Sequence, residues 1–293
     1  MAKTPPPDHF YKGTRMPALA PASTLDAVGV MEVRDDDIWV VSYPKAGTTW
    51  GQEVTSVIME GGDLAKVKSK RLSERVPYLE LGPLGQQSAS YKRIDAMSYD
   101  VPRLIRTHLP YELMPQQWHT KKPKTLYVAR NPKDTAVSCW HFTKINHFFG
   151  TRETFADFLK KFVEGDVAYG SWFDHNLAFW EHRHDPNILF VKYEDVKTDH
   201  RRMVKRIAEF YDRPLPVEMI DACVEHCTLD GTKDNRMSNH LGALYISQEK
   251  GTFHRKGEVG DWMSYFTIAQ NDVLDSLYEE KMMGTGLTFD FEL

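Results

Sequence analysis

Short runs of apolar residues alternate along the chain with stretches in which apolar residues recur every three or four positions. Three runs are largely continuous, contain β-branched or aromatic residues, and end at turn or charged residues: 38–43, 125–129 and 188–193. Such runs are typical of strands that are buried on both faces of a parallel sheet. Leu104–Thr107 is a weaker fourth run.

The stretches between these runs have the spacing of amphipathic helices. Around residues 50–58, 155–162 and 203–211, apolar residues stand three, four or seven positions apart, which places them on one helical face. Strands that alternate with helices favour right-handed β-α-β units. We therefore predict an α/β fold, a single domain with a central parallel sheet flanked by helices.

Two segments lack this periodicity. Residues 1–25 contain five prolines, which predict an extended N-terminal arm that precedes a domain of residues 26–293. Residues 230–260 are polar and rich in glycine. Because a long segment without its own pattern is usually a functional lid or binding loop, we expect such a role here.

Composition and charge limit the partners. The net charge is −4, whereas a general nucleic-acid binder normally carries a strong basic excess. No apolar run approaches the roughly 18 residues of a membrane span, and the start of the chain lacks the apolar core of a secretory signal. Three cysteines are too few for a disulfide scaffold and favour a reducing compartment. We expect a cytoplasmic protein with a small-molecule partner and neither a nucleic-acid nor a membrane partner.

The sharpest local signal is residues 42–50, SYPKAGTTW, which follow the strongest predicted strand and begin a predicted helix. This context directs backbone N–H groups and a helix N-terminus toward one point, which favours an anion. Gly47 allows a close backbone approach, Thr48 and Thr49 add hydroxyl donors, and Lys45 adds a charge. The segment predicts a P-loop-like phosphate-binding loop, although an ordinary strand-to-helix turn with an exposed lysine has the same spacing.

Four segments in the same order resemble cytosolic sulfotransferases: 43–50, 103–110, 130–134 with Ser138, and 255–257 with 260–262. The resemblance runs from about residue 38 to the end of the chain. It implies the donor 3′-phosphoadenosine 5′-phosphosulfate (PAPS), the product 3′,5′-adenosine bisphosphate, and a hydroxyl or amine acceptor. A set of four ordered motifs is far more specific than one glycine loop.

The same resemblance implies the residues that bind the donor. Those near the 5′-phosphosulfate, the 3′-phosphate and the adenine are Lys45, Ala46, Gly47, Thr48, Thr49, Trp50, Arg130, Ser138, Tyr193, Cys227, Thr228, Leu229, Arg255, Lys256 and Gly257. Arginine suits a bidentate hold on phosphate oxygens. Taken alone, Arg255 and Lys256 could be a solvated basic pair, and Trp50 and Tyr193 could be core aromatics.

The resemblance also implies an in-line mechanism. His108 matches the family's general base, a task that suits a neutral imidazole near pH 7, while Lys45 and Arg106 stabilise the departing 5′-phosphate. Residues expected around a small aromatic or hydrophobic acceptor are Tyr78, Arg106, His108, Phe142 and Tyr169, with Trp172 nearby. For the aromatic members, an ordinary hydrophobic core is the open alternative.

Four positions depart from the family's pattern. Arg106 stands where lysine is usual, Ala46 replaces a common serine, and Leu229 stands where a phenylalanine is frequent. Arginine is bulkier than lysine, and leucine stacks more weakly than an aromatic ring. These changes motivate an alternative function, a non-catalytic nucleotide-binding regulator with the same fold. Met263 replaces the lysine of the family's dimer segment, so a homodimer remains open.

Two other functions fit the residues less well. A small-molecule kinase that uses the same loop for ATP should carry a Gly-Lys pair, and none occurs in 42–50. Cys223, His226 and Cys227 lie within five residues, but a fourth ligand and the usual paired spacing of a zinc site are missing. We therefore expect no metal.

Overall fold

The computed structural model describes residues 8–83, 87–146, 153–228, 230–231, 237 and 255–293. Its first element is an antiparallel hairpin of β1 (His9–Tyr11) and β2 (Thr14–Met16), and α1 (Ala22–Gly29) follows. Met16, Leu19 and Ala20 are buried in the main hydrophobic cluster. The described part of the segment predicted as an extended arm is therefore folded against the body of the protein.

The central sheet has four parallel strands: β3 (Ile38–Ser42), β4 (Leu104–Thr107), β5 (Lys124–Ala129) and β6 (Ile188–Lys192). Their order across the sheet is β4-β3-β5-β6. The predicted α/β fold with a central parallel sheet is confirmed. Each predicted strand agrees with the observed one to within a residue at each end, because burial on both faces leaves a continuous apolar run.

Helices pack on both faces of this sheet. They are α2 (Thr48–Met59), α3 (Leu64–Ser69), α4 (Leu72–Arg75), α5 (Ser90–Asp95), α6 (Gln116–Lys121), α7 (Pro132–Ile145), α8 (Phe155–Glu164), α9 (Trp172–Glu181), α10 (Tyr193–Thr198), α11 (His200–Phe210), α12 (Val217–His226) and α13 (Ile268–Met282), with 3-10 turns at Tyr111–Leu113 and Asp261–Ser264. The three predicted helical patterns lie in α2, α8 and α11. Within the described ranges, no helix is both long and apolar enough to cross a membrane.

Two hydrophobic clusters lie on opposite faces of the sheet. Successive residues of β5 alternate between them, since Leu126 and Val128 belong to one cluster and Tyr127 and Ala129 to the other. This alternation follows from the two-residue period of a strand. The face of Leu126 packs on α2, α11 and α12, and the face of Tyr127 packs on α8 and α9.

A buried ion pair joins the starts of β3 and β4. Arg103 donates from Nε and Nη2 to the two carboxylate oxygens of Asp37, at 2.7 and 2.6 Å, and both side chains are almost fully buried. The Ile38 N–H donates to the Arg103 carbonyl oxygen at 2.9 Å. The pair therefore anchors the first register position between these strands.

Candidate active site

A cavity of about 300 Å³ lies at the carboxyl ends of the four parallel strands. Each strand contributes residues that follow its last position: Lys45 after β3, His108 after β4, Arg130 after β5 and Tyr193 after β6. This end of an open α/β sheet is where ligands bind, because the loops and helix N-termini converge there. The four sequence motifs meet in this cavity.

Most residues predicted for the site line the cavity. They are Lys45, Gly47, Thr48, Thr49, Trp50, Tyr78, Arg106, His108, Arg130, Ser138, Phe142, Tyr169, Tyr193, Cys227, Thr228, Arg255, Lys256 and Gly257. Ala46 does not line the cavity, because it is fully buried in the main hydrophobic cluster. Trp172 is also fully buried there and donates its indole N–H to the Arg130 carbonyl oxygen at 3.1 Å. Leu229 lies outside the described residues, as does most of the predicted loop 230–260.

The loop between β3 and α2 has the backbone of an anion site. Gly47 stands before the first turn of α2 with φ at +107°, and no side chain caps that turn. A Cβ atom at Gly47 would lie 2.9 Å from Cδ2 of Tyr193, so this position requires glycine. The first N–H groups of a helix have no partner within it. Those of α2 are therefore available to an anion in the cavity.

The charge of the cavity is strongly positive. Six lining side chains are cations, and among the lining residues that the structure describes none is Asp or Glu; the cations are Lys45, Arg106, Arg130, Lys197, Arg255 and Lys256. Burial, together with the nearby arginines, lowers the pKa of Lys45 to about 8. Carboxylates outside the lining balance three of the six, since Arg130 pairs with Asp134 and both Arg255 and Lys256 pair with Asp261. The cavity surface itself presents cations only, which favours an anionic ligand.

His108 is held as a neutral hydrogen-bond acceptor. Its Nδ1 donates to the carbonyl oxygen of Ser42 at 2.8 Å. Because a carbonyl oxygen only accepts, the contact assigns the proton to Nδ1 and leaves a lone pair on Nε2. Burial, reinforced by Arg106, lowers the pKa of His108 to about 3. The rings of Tyr78 and Tyr169 pack edge-on against the imidazole, with centroids at 5.4 and 5.5 Å.

The backbone of His108 is held on both sides. Its N–H donates to Oε1 of Glu80 at 2.8 Å, while the Thr107 hydroxyl donates to Oε2 at 2.8 Å. On the other side, Nε2 of His175 donates to the His108 carbonyl oxygen at 3.0 Å, and the Tyr127 hydroxyl hydrogen-bonds to Nδ1 of His175 at 2.8 Å. Glu80 is fully buried, and burial raises the pKa of its carboxyl to about 6 despite these hydrogen bonds.

The chamber beside His108 has aromatic walls. The Arg106 guanidinium stacks over the Tyr78 ring at 4.1 Å, and the hydroxyls of Tyr78 and Tyr169 are hydrogen-bonded to each other. Tyr169 has a left-handed backbone, and its N–H donates to the carbonyl oxygen of Arg15 in β2 at 2.8 Å. The wall that contains Tyr169 is therefore supported by the N-terminal hairpin.

Arg130 lines the cavity at the end of β5, and its Nη2 lies 3.4 Å from a carboxylate oxygen of Asp134. Its Nη2 donates to the Glu258 carbonyl oxygen at 2.6 Å, and its guanidinium lies 5.0 Å from the Tyr193 ring centroid. Its Nε is buried and has no hydrogen-bond partner in the described chain. A guanidinium on a cavity wall suits a hold on phosphate oxygens. Ser138 on α7 lines the same cavity.

The C-terminal segment is fastened over this end. Asp134 on α7 accepts the N–H groups of Gly260 and Trp262, both at 3.0 Å. Asp261 pairs with both Arg255 and Lys256, which lowers the pKa of its own carboxyl. Arg255 and Lys256, two of the six cations in the cavity lining, are therefore held in place by one carboxylate outside the lining.

Several lining residues are not among those predicted for the site. Pro44 lies within the predicted phosphate loop, whereas the others have no signal in the sequence: Leu19, Asn146, Val196, Lys197 and His200. The Trp50 indole N–H donates to Nε2 of His200 at 2.8 Å, across 150 residues of chain.

The sequence also offered Cys223, His226 and Cys227 as candidate metal ligands. Nε2 of His226 lies 3.2 Å from a Glu53 carboxylate oxygen. The described parts of the chain contain no group of three side chains that could hold a metal ion.

A family model described as a sulfotransferase domain matches residues 35–286. The chain belongs to the sulfotransferase family. This sulfotransferase is 38% identical to Sulfotransferase 1B1 of Canis lupus familiaris over 274 residues, which cover 93% of this chain and 92% of that protein. The resemblance predicted from four motifs is thus confirmed over nearly the whole chain.

Solved structures agree with this assignment. A mouse sulfotransferase, SULT7A1, was crystallised with PAP, the abbreviation for 3′,5′-adenosine bisphosphate. It superimposes with a TM-score of 0.77 at 33% identity over 94% of each chain. A retinol dehydratase in complex with androsterone and the inactive cofactor PAP superimposes with a TM-score of 0.86 at 26% identity, covering 96% of this chain and 90% of that one. The protein is therefore an enzyme of the PAPS-dependent sulfotransferase class.

Proposed function

We propose that this sulfotransferase transfers the sulfuryl group of PAPS to the hydroxyl of a small hydrophobic acceptor, with His108 as general base. One observation carries the proposal: the unprotonated Nε2 of His108 belongs to a residue that lines the same cavity as six cations. The cations suit a doubly phosphorylated donor, and the imidazole suits a hydroxyl proton. PAP in both related structures supports the choice of donor.

The residues fit a donor that lies along the cavity. Lys45 and the N–H groups at the start of α2 would hold the 5′-phosphate side, and Arg130, Ser138, Arg255, Lys256 and Gly257 the 3′-phosphate. The guanidinium of Arg130 on the cavity wall and the close backbone approach that only glycine allows at position 47 support this placement. Trp50, Tyr193, Cys227 and Thr228 would face the adenine.

The mechanism follows from the hydrogen bonds of His108. The acceptor hydroxyl donates to Nε2, its oxygen attacks sulfur, and the bond from sulfur to the 5′-phosphate oxygen breaks as the proton passes to Nε2. Nδ1–H stays on the Ser42 carbonyl oxygen throughout and fixes the ring. Arg106 and Lys45 stabilise the charge that develops on the leaving phosphate. The negative charge of the donor would offset these cations and raise the pKa of His108, which burial and Arg106 lower to about 3 in the protein alone.

The charges of the cavity favour hydroxyl over amine acceptors. Within the described lining there is no carboxylate to pair with an ammonium group, and Arg106 and Lys45 flank the chamber beside His108. Tyr78, Phe142 and Tyr169 provide aromatic contact for an apolar acceptor. Androsterone, a steroid alcohol bound by one relative, supports this acceptor class.

A matched pair of acceptors tests this assignment. We expect 4-ethylphenol to be sulfated with a higher kcat/KM than tyramine, which has the same phenol with an ammonium group at the end of the chain. A higher kcat/KM for tyramine would overturn the preference for an uncharged acceptor, and sulfated product on the amine of tyramine, identified by mass spectrometry, would overturn the hydroxyl assignment. His108→Ala should abolish turnover and leave the Kd for PAP within about twofold, since transition-state stabilisation rather than donor binding is lost.

The alternative, a non-catalytic regulator, has a different outcome. It predicts PAP binding without sulfated product for any member of a broad panel of phenols and alcohols. The cytoplasmic location stays a prediction, and a homodimer through residues 263–272 stays open. Met263 and Ile268 of that segment are 54% and 84% exposed.

A further inference from the structure

A histidine forms part of the cavity wall beside Trp50. The Trp50 indole N–H donates to Nε2 of His200 at 2.8 Å, and the two ring centroids are 5.8 Å apart. A neutral imidazole that accepts at Nε2 carries its proton at Nδ1. Burial, reinforced by the charge of Lys197, lowers the pKa of His200 to about 4, so the ring is neutral near pH 7. His200 therefore presents a fixed N–H donor.

This donor is not used by the described part of the protein. No described residue accepts a hydrogen bond from Nδ1 of His200, although the residue is half-buried and lines the cavity. The neighbouring polar groups are engaged, since the Thr228 hydroxyl donates to the Glu225 carbonyl oxygen at 2.9 Å and the Trp50 N–H donates to His200 itself. Val196 adds only apolar surface. Among the described residues beside Trp50, His200 and Lys197 have donors that a ligand could use.

We propose that His200 recognises the purine base of the donor, with Nδ1–H donating to an unprotonated ring nitrogen and Nε2 fixing the plane of Trp50. The inference rests on the proposed function, since it takes the donor to be PAPS. Adenine presents three such acceptors, N1, N3 and N7, whereas guanine carries a proton on N1. The pair of His200 and Trp50 is thus a specificity device for the base, separate from the phosphate contacts of Lys45 and Arg130.

Deaza analogues of PAP test the proposal. The Kd of PAP and of its 1-deaza, 3-deaza and 7-deaza analogues is measured by calorimetry for the parent protein and for His200→Ala. We expect one analogue to bind the parent about 3- to 10-fold more weakly than PAP, as for one neutral hydrogen bond. His200→Ala should bind PAP more weakly by a similar factor and bind that one analogue no more weakly than it binds PAP.

Two further variants separate recognition from a structural role. His200→Gln can accept from Trp50 and donate to the base, so it should recover part of the lost affinity. Lys197→Met, on the neighbouring lining residue, should keep the same ranking of the four ligands as the parent. Thermal melts of each variant with and without PAP show whether it is folded.

A ligand without a base distinguishes the failure of this inference from that of the proposed function. Ribose 3,5-bisphosphate should bind the parent and His200→Ala with equal affinity. If His200→Ala weakens all ligands equally, including this one, or leaves the Kd of PAP unchanged, base recognition by His200 is wrong and the proposed function stands. If neither PAP nor ribose 3,5-bisphosphate binds the parent, the donor assignment itself is wrong, and the inference falls with it.

Discussion

The buried carboxyl of Glu80 should make stability depend on pH in a direction opposite to that of most carboxylates. Burial raises its pKa from an ordinary 4.5 to about 6, so the folded protein retains a proton that the unfolded chain has already released. This contribution to stability is fully present below pH 4.5 and is lost as the pH rises through 6. The size of the loss is about 2 kcal/mol, at about 1.4 kcal/mol for each unit of pKa.

Glu80→Gln isolates this effect. The amide oxygen can still accept the His108 N–H, and the NH2 group can face the Thr107 hydroxyl, so the fold should persist. The side chain of the variant at position 80 cannot titrate, whereas all other titratable groups are the same as in the parent protein. The unfolding free energy of the parent minus that of Glu80→Gln should therefore fall by about 2 kcal/mol between pH 4.5 and 7.

Urea unfolding in buffers between pH 4.5 and 7.5 measures this difference. In thermal melts it corresponds to about 4 to 8 °C at the 2–4 °C per kcal/mol of a large domain. Glu194 offers a matched comparison, because burial raises the pKa of its carboxyl to about 7, and Glu194→Gln should extend the same behaviour to higher pH. A stability difference for Glu80→Gln that does not change with pH, or that grows as pH rises, would refute the reasoning.

Three other changes have outcomes that the structure specifies. The Kd for PAP should rise as the pH rises through about 8, where Lys45 loses its charge, and Lys45→Met should remove this pH dependence. A Kd of the parent protein that does not change with pH would contradict this role of Lys45. Gly47→Ala places a Cβ 2.9 Å from Tyr193 at a φ of +107°, so thermal melts should show a loss of about 1–3 kcal/mol, and an unchanged Tm contradicts the strain. Arg103→Leu leaves the Asp37 carboxylate buried without its ion-pair partner, so urea unfolding should show an unfolding free energy lower by about 3–5 kcal/mol. Adding Asp37→Leu should restore most of that loss, and equal losses in the single and double variants would contradict the argument.

The parts of the site that the sequence predicts are those fixed by local geometry. Parallel strands buried on both faces are continuous apolar runs, and the residues just past their ends converge at one edge of the sheet. Lys45, His108, Arg130 and Tyr193 were therefore accessible to prediction from their motifs and from their positions after strands. Ala46, within the same loop, shows the limit, because a motif does not reveal that its side chain packs into the core.

The parts that the sequence does not predict depend on contacts between distant residues. Glu80 holds a segment 28 positions further along the chain, and Trp50 meets His200 across 150 positions. Neither Glu80 nor His200 belongs to a recognisable sequence motif. The fold of residues 8–25 was hidden for a related reason, since the prolines indicate extended chain but not the core against which Met16 and Leu19 pack.

The N-terminal segment lies on one side only of the proposed site. The proposed donor contacts are built on loops that continue directly from the central strands, so a change there disturbs the sheet. The proposed acceptor wall is built partly on the periphery: Leu19 lines the cavity, the Arg15 carbonyl oxygen accepts from the Tyr169 N–H, and the Arg15 side chain pairs with Asp166. On the proposed assignment, substitutions in residues 8–20 would reshape acceptor choice while the donor site is preserved, which leaves substrate range free to diversify around a constant transfer chemistry.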